Sequence, residues 1–335
     1  MYSTKTIPNL RAINVIILLN CFFFLGCPSE KLPIIEKKQE VPKTISTEID
    51  IAPLFDAQAA FKLVEKQLSF GARVPGTPAH TSCRDFLYST LKKYTDTAFL
   101  QSFKAEIYGR PLLFSNIIGS FNPKSTNRIL ICAHWDSRPR SDQDSNPKDT
   151  SKPCPAANDG ASGVAVLLEI ARILKDTHPT IGVDVVLFDG EDYGFEHDLS
   201  NYFIGSRHYA GNIPFAKPRS AVLLDLVGDK DAEFRFEPSS MQSNPEAMRK
   251  IWDIAFRRNC SYFLFENGNG VSDDHDMLIQ TGIPSIDIID VNLVGQNVTN
   301  PRRKYWHTTN DTIENISAVT LSCVGQCLLE YILTY

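Results

Sequence analysis

The 335-residue chain has no concentrated run of basic charge: 34 Lys and Arg are scattered against 39 Asp and Glu, for a net charge of −5. This argues against a nucleic-acid binder, whose affinity rests on a massed cationic surface. After residue 26 no run of about 18 apolar residues occurs, so no later segment reads as a helix able to span a bilayer. The eight cysteines form no CxxC pair, which removes the thiolate zinc-finger pattern. Internal repeats and low-complexity tracts are also missing. With 43% hydrophobic and 22% charged residues, the composition is that of a globular protein and not of a disordered chain, a collagen or a coiled coil.

The N-terminus is different in kind. Lys5 and Arg11 precede an almost unbroken apolar run from Ile13 to Gly26, close to the length of a signal h-region and short for a membrane span. It ends in Phe24-Leu25-Gly26-Cys27, which resembles the lipobox of bacterial lipoproteins. That resemblance implies cleavage before Cys27, a lipid on its sulfur, and an exported protein held at the cell envelope. Residues 28 to about 50 carry Pro28, Pro33 and Pro42 among Lys and Glu, as a solvated tether would. The expected organisation is a signal over 1–26, a tether over 27–50 and one catalytic domain over 51–335. Six cysteines remain beyond Cys27; their even number permits disulfides in an exported protein, but nothing fixes a pairing. Cys323 and Cys327 sit four apart in a predicted helix, where packing into the core is the expected role.

From about residue 55, strand and helix patterns take turns. Ala57 to Leu68 has apolar residues at helical spacing, and Gly160 to Leu174 and Ile316 to Leu333 read as further helices. Arg128–Cys132, Val183–Phe188, Ser220–Leu224 and Pro284–Ile289 are short apolar runs bounded by polar turns, the pattern of buried strands. This alternation predicts an α/β domain with a twisted, mixed, mostly parallel central sheet and helices on both faces.

Acids and histidines fall where those strands end. His134 and Asp136 follow the first, Glu191 and Asp192 the second and Asp225 the third; Asp273, Asp274 and His275 precede the fourth, and His307 lies beyond it. In open α/β sheets ligands bind outside the carboxyl ends of strands. Carboxylates and imidazoles converging there repel one another unless a cation intervenes, and a nitrogen-and-oxygen donor set suits zinc. Each residue also has a plain structural explanation. Asp159 could be a helix N-cap, Glu191-Asp192 a solvated turn and His134 a buried neutral imidazole. Asp225 resists such a reading, because a charge inside Val222-Leu-Leu-Asp-Leu-Val227 is costly to bury unpaired.

His134-Trp-Asp136, Asn158-Asp-Gly-Ala-Ser-Gly163, Phe188-Asp-Gly-Glu-Asp192, Leu224-Asp-Leu226 and His307-Thr-Thr-Asn-Asp-Thr312 together resemble the motif series of zinc-dependent exopeptidases. The resemblance implies a twisted sheet flanked by helices, and His134, Asp159, Asp192, Asp225 and His307 as ligands of two zinc ions bridged by Asp159, with Glu191 as general base. Phe70-Gly-Ala-Arg-Val-Pro-Gly76, Gly205-Ser-Arg-His208, Asp273-Asp-His275 and Trp306-His307 further resemble the animal-type glutaminyl cyclase branch of that superfamily. His134-Trp-Asp-Ser-Arg-Pro139, followed by Asp142-Gln-Asp144, is similar to its bacterial members, as is Asp192 where animal members carry Glu.

The cyclase branch implies one zinc, held by Asp159, Asp192 and His307, and conversion of an N-terminal Gln of peptides or proteins to pyroglutamate with release of ammonia. Glu191 would carry the proton, Asp225 and Asp274 would hold the proton network, and Trp306 would wall the pocket. A second pocket tryptophan of animal cyclases has no counterpart between Asp192 and Gly205; Tyr202, Phe203 or His197 stand as substitutes. Two other readings remain. A di-zinc aminopeptidase would use His134 and Asp225 for its second ion, and a non-catalytic surface lipoprotein would use the fold for binding. Intact Glu191 argues against the last, since a binding module has no need of that acid. The sequence leaves the oligomeric state open.

Overall fold

Strand β3 (Arg128–His134) is built on the run Ile129-Leu-Ile-Cys-Ala133, and all of its residues are buried. It pairs in parallel with β4 (Gly182–Phe188) on one side and β5 (Ser220–Asp225) on the other, and β5 pairs in parallel with β8 (Ser285–Ile289). The computed structural model describes residues 54–295 and 298–335; the signal segment and the whole tether, with Cys27, lie outside these residues.

Four strands had not been expected. β1 (Thr97–Ile107) and β2 (Arg110–Phe121) form a long antiparallel hairpin, and β2 continues antiparallel onto β4. The hairpin turns on Tyr108-Gly109, both at positive φ (51° and 72°). That backbone matches the right-handed twist of flanking strands across a two-residue loop. The six-stranded order is β1-β2-β4-β3-β5-β8, mixed at one edge and parallel through the middle. A separate pair joins β6 (Phe234–Phe236) to β7 (Phe263–Asn267).

Period-two alternation sends the strand side chains to two cores. Ile129, Ile131, Val183, Val185, Val222, Leu224, Ile286 and Ile288 pack on one face with α1 (Ala57–Leu68), α3 (Ala161–Thr177), α6 (Pro245–Arg257) and α8 (Ala318–Leu333). Leu130, Cys132, Val186, Phe188, Ala221 and Leu223 pack on the other with Tyr209 of α4 (Ile204–Gly211) and Leu278 of α7 (Asp274–Gln280). Helices on both faces, and α1 with its expected bounds, agree with the sequence reading. α2 (Pro78–Tyr94) and the short α5 (Pro238–Ser243) complete the α-helices among the described residues.

The packing role expected for Cys323 is corrected. It is disulfide-bonded to Cys260, with a Cα–Cα separation of 5.9 Å, joining the end of α6 to α8. Cys327, one helical turn further on, is 1% exposed and does pack in the core.

Candidate metal centre and active site

Helix α3 brings its N-terminus to the carboxyl ends of β3 and β5 by glycine contacts. A Cβ on Gly163 would lie 2.5 Å from the Leu224 carbonyl oxygen, and one on Gly160 would lie 2.3 Å from that of His134. Gly160 is the helix N-cap and makes no side-chain capping bond. The capping role considered for Asp159 is therefore corrected: its side chain faces two histidines. Asp159 Oδ1 is 3.0 Å from His134 Nε2, and Oδ2 is 3.5 Å from His307 Nε2.

Two donor groups share Asp159. Asp192 Oδ2 lies 3.2 Å from His307 Nε2, and donor atoms of Asp159, Asp192 and His307 lie within 4.8 Å of one another. On the other side, His134 Nε2 is hydrogen-bonded to Asp225 Oδ1 at 3.3 Å, and its Nδ1 is 3.8 Å from Glu191 Oε2. The sheet thus brings together His134, Asp159, Glu191, Asp192, Asp225 and His307. Asp274, first residue of α7, is fully buried and accepts a 2.5 Å hydrogen bond from Ser206 Oγ. Its charge acts on Glu191 across the crevice.

Burial raises the Glu191 carboxyl well above the usual range, and Asp192, Asp273 and Asp274 add to the rise against the opposing effect of His134. Burial, then Asp159, pushes Asp225 up to about 7. For His134, burial disfavours the imidazolium, but Asp136, Asp159, Asp225 and Glu191 outweigh it and hold the pKa well above the ordinary value. Asp192 is held low: burial opposes its charge, and His307 and Arg138 overcome that opposition. Acids driven in opposite directions within one cleft are what proton-transfer chemistry needs.

The pocket residues separate. Trp306 is half-buried, stacks on the His307 ring at 3.5 Å between centroids, and lines a cavity of about 620 Å³ with Asp142 and Thr308. Tyr202 is half-buried, and its hydroxyl accepts a hydrogen bond from Arg138 at 2.8 Å. Phe203 is 3% exposed, with its ring 5.7 Å from that of Tyr202, so it packs behind Tyr202. His197 is corrected: its side chain is 89% exposed and meets Glu196, not the site.

Several positioning residues had been quoted without a role of their own. Asp136 accepts the backbone N–H groups of Glu191 and Asp192, and Asp311 accepts those of Asn158 and Asp159. Arg73, fully buried, donates to the carbonyls of Pro155 and Ala156 and ties them to Trp135. Asp144 accepts both the backbone N–H and the hydroxyl of Thr309, pinning the loop of His307. His80, which carried no sequence signal, stacks on Trp135 and bonds to Asp189 at 2.9 Å, under the turn to Glu191.

The chain is similar to a Zn-dependent exopeptidase from Parabacteroides distasonis, at 38% identity and TM-score 0.79, over 85% of this chain and 100% of that one. It is equally similar to the glutaminyl cyclase of Tannerella forsythia: 38% identity, TM-score 0.79, with 84% and 100% of the two chains covered. The glutaminyl-peptide cyclotransferase of Bos taurus is 23% identical over 297 residues, 78% of each chain. These similarities bear out the expected fold and the expectation of an enzyme. Residues 116–332 match the profile of peptidase family M28, so the chain, with its acids and histidines gathered at the strand ends, belongs to that family.

Proposed function

We propose that the protein is a zinc-dependent glutaminyl-peptide cyclotransferase that converts the N-terminal Gln of peptides and proteins to pyroglutamate. The observation that carries the metal reading is Asp192 Oδ2, a buried carboxylate oxygen with no hydrogen bond, facing Asp159 and His307. An orphaned carboxylate beside an imidazole and a second carboxylate fits zinc, and Asp159, Asp192 and His307 would hold it, leaving a fourth position for substrate. When bound there, zinc supplies a Lewis acid for the γ-amide carbonyl.

The protein's side chains do the rest. Tyr202 and Trp306 wall the pocket and orient the Gln side chain, so that the α-amine meets the γ-carbon within one molecule. Glu191, with its raised pKa, takes a proton from the α-amine as the new C–N bond forms, and returns it to the amide nitrogen as that C–N bond breaks and ammonia leaves. Asp225 and Asp274 hold the proton network around Glu191. No water is activated, so one ion suffices. The similarity to glutaminyl cyclases supports this reading.

A second reading is a di-zinc aminopeptidase, favoured by His134 and Asp225 gathered at the other oxygen of Asp159. Mass spectrometry of a Gln-Ala peptide and a Leu-Ala peptide, incubated with the zinc-loaded domain, separates the two. Loss of ammonia from the first alone supports the cyclase, and release of free leucine moves the reading to the peptidase. Zinc content near one or near two per chain gives an independent answer.

We also propose export and anchoring through Cys27. The Cys260–Cys323 bridge supports an oxidising compartment. Labelled fatty acid should enter the wild-type protein and not the Cys27→Ser variant; equal labelling would end that proposal.

A further inference from the structure

We infer that Arg138 is a positioning residue that leaves Asp192 a single oxygen for a metal and, through the same nitrogen, ties that ligand to the Tyr202 wall of the substrate pocket. The inference rests on the metal-site reading above. Arg138 stands four residues beyond His134 at the end of β3, and is 1% exposed. Its Nη1 donates to Asp192 Oδ1 at 2.6 Å and to the Tyr202 hydroxyl at 2.8 Å. Its Nε and Nη2 grip both oxygens of Asp142, at 2.7 and 2.5 Å. The two oxygens of Asp192 are therefore unlike: Oδ1 is held by a charge-assisted bond, and Oδ2 is buried and unbonded.

A carboxylate can ligate a cation through one oxygen or both. Zinc in a working site takes three protein ligands and keeps one position open. An Asp192 free to turn could offer both oxygens and add a fifth donor beside that position, raising the coordination number and crowding the substrate. The guanidinium opposes this: it is always charged, its fork is anchored on both oxygens of Asp142, and its Nη1 thereby holds Asp192 Oδ1 away from the metal by a charge-assisted bond.

Tyr202 is set by the same nitrogen. A Cβ on Gly194 would lie 2.1 Å from Tyr202 Cδ2, so the ring occupies the space that a side chain at 194 would need. Next to it, the Phe203 N–H bonds to the Glu191 carbonyl at 2.9 Å, fixing the start of α4 to the acidic pair. Asp142, held by the rest of the fork, reaches to 3.9 Å from His307 Nδ1. One guanidinium thus addresses Asp192 directly, His307 through Asp142, and the pocket wall through Tyr202.

Cobalt(II) loading gives a readout apart from turnover, because four-coordinate cobalt absorbs visible light far more strongly than five- or six-coordinate cobalt. In Arg138→Met the freed Oδ1 should join the metal, so the visible bands weaken while cobalt stoichiometry holds. Arg138→Lys restores one donor to Oδ1 and should keep the bands. It lacks the fork for Asp142 and Tyr202, so KM for a Gln peptide should rise about tenfold, the loss of one charge-assisted hydrogen bond, with kcat little changed. Tyr202→Phe should raise KM and leave the spectrum as in wild type. Undiminished bands in Arg138→Met would overturn the inference. If that variant does not fold, wild-type KM in Arg138→Lys would overturn the coupling to the pocket. A wild-type protein that takes up no cobalt would instead remove the metal reading, and this inference with it.

Discussion

Asp136 Oδ1 accepts the backbone N–H of Glu191 at 3.0 Å and lies 3.5 Å from His134 Nδ1. The end of β3 therefore positions the end of β4, and the proposed proton carrier sits on a fixed backbone. Glu191→Gln is nearly isosteric and removes only the titrating group. It should keep metal and fold while kcat drops about a hundredfold or more, as loss of a positioned acid/base does. Wild-type turnover in metal-replete Glu191→Gln would take that residue out of the mechanism.

His307 holds a φ of 54°, an uncommon backbone for a residue with a side chain, and its loop is pinned through Asp144 and Thr309. Structure of this kind persists where surroundings over-determine it. His307→Ala should lose bound metal along with activity. Elemental analysis after gel filtration checks this, and normal zinc content would contradict the ligand assignment.

Trp306 lies over the His307 ring and borders the cavity. Trp306→Ala should raise KM while zinc content stays the same. An unchanged KM would reduce the residue to packing.

The metal-free domain should lose stability as pH rises from about 4 to above 7. Asp225 and Asp311 are pushed up to about 7, in each case by burial and then by Asp159. Both are held protonated when folded and ionise earlier when unfolded. Each then contributes stability that is full below about 4 and is lost through 7, at up to about 1.4 kcal/mol per pH unit. His134, raised from the ordinary histidine value, acts with the same sign. Asp192 is lowered, and its contribution is lost only below the ordinary carboxylate range. Thermal melts after chelation should show a lower Tm at pH 8 than at pH 5; the reverse order would count against this electrostatic picture.

The disulfide closes a loop of 63 residues between Cys260 and Cys323. Replacing both cysteines with serine should cost about 4 kcal/mol by the chain-entropy argument. Urea denaturation measures it, and an unchanged midpoint would mean that the bridge adds no stability.

The strand ends were legible because short apolar runs stop where acids begin, and that one-dimensional signal survives folding. The hairpin of β1 and β2 was not, because β1 is half-exposed, the buried stretch of β2 is interrupted by Ser115, Asn116, Gly119 and Ser120, and Tyr108-Gly109 is no recognised turn sequence. The bond from Cys260 to Cys323 depends on where α6 meets α8, which no spacing encodes. Arg138 and Asp311 were visible as letters of motifs, yet their partners Asp192 and Asp159 are distant in sequence. Asp159 was open to two readings until its backbone was seen held by Asp311, with the side chain turned away from the helix end.

The proposed ligands come from three connections: Asp159 before α3, Asp192 after β4, and His307 just ahead of the last helix. A chain made from its N-terminus onward therefore spends almost its whole synthesis without a complete set of donors. Capture of a metal by all three proposed ligands would then wait until synthesis is nearly complete, and a chain cut short before His307 would lack one of them.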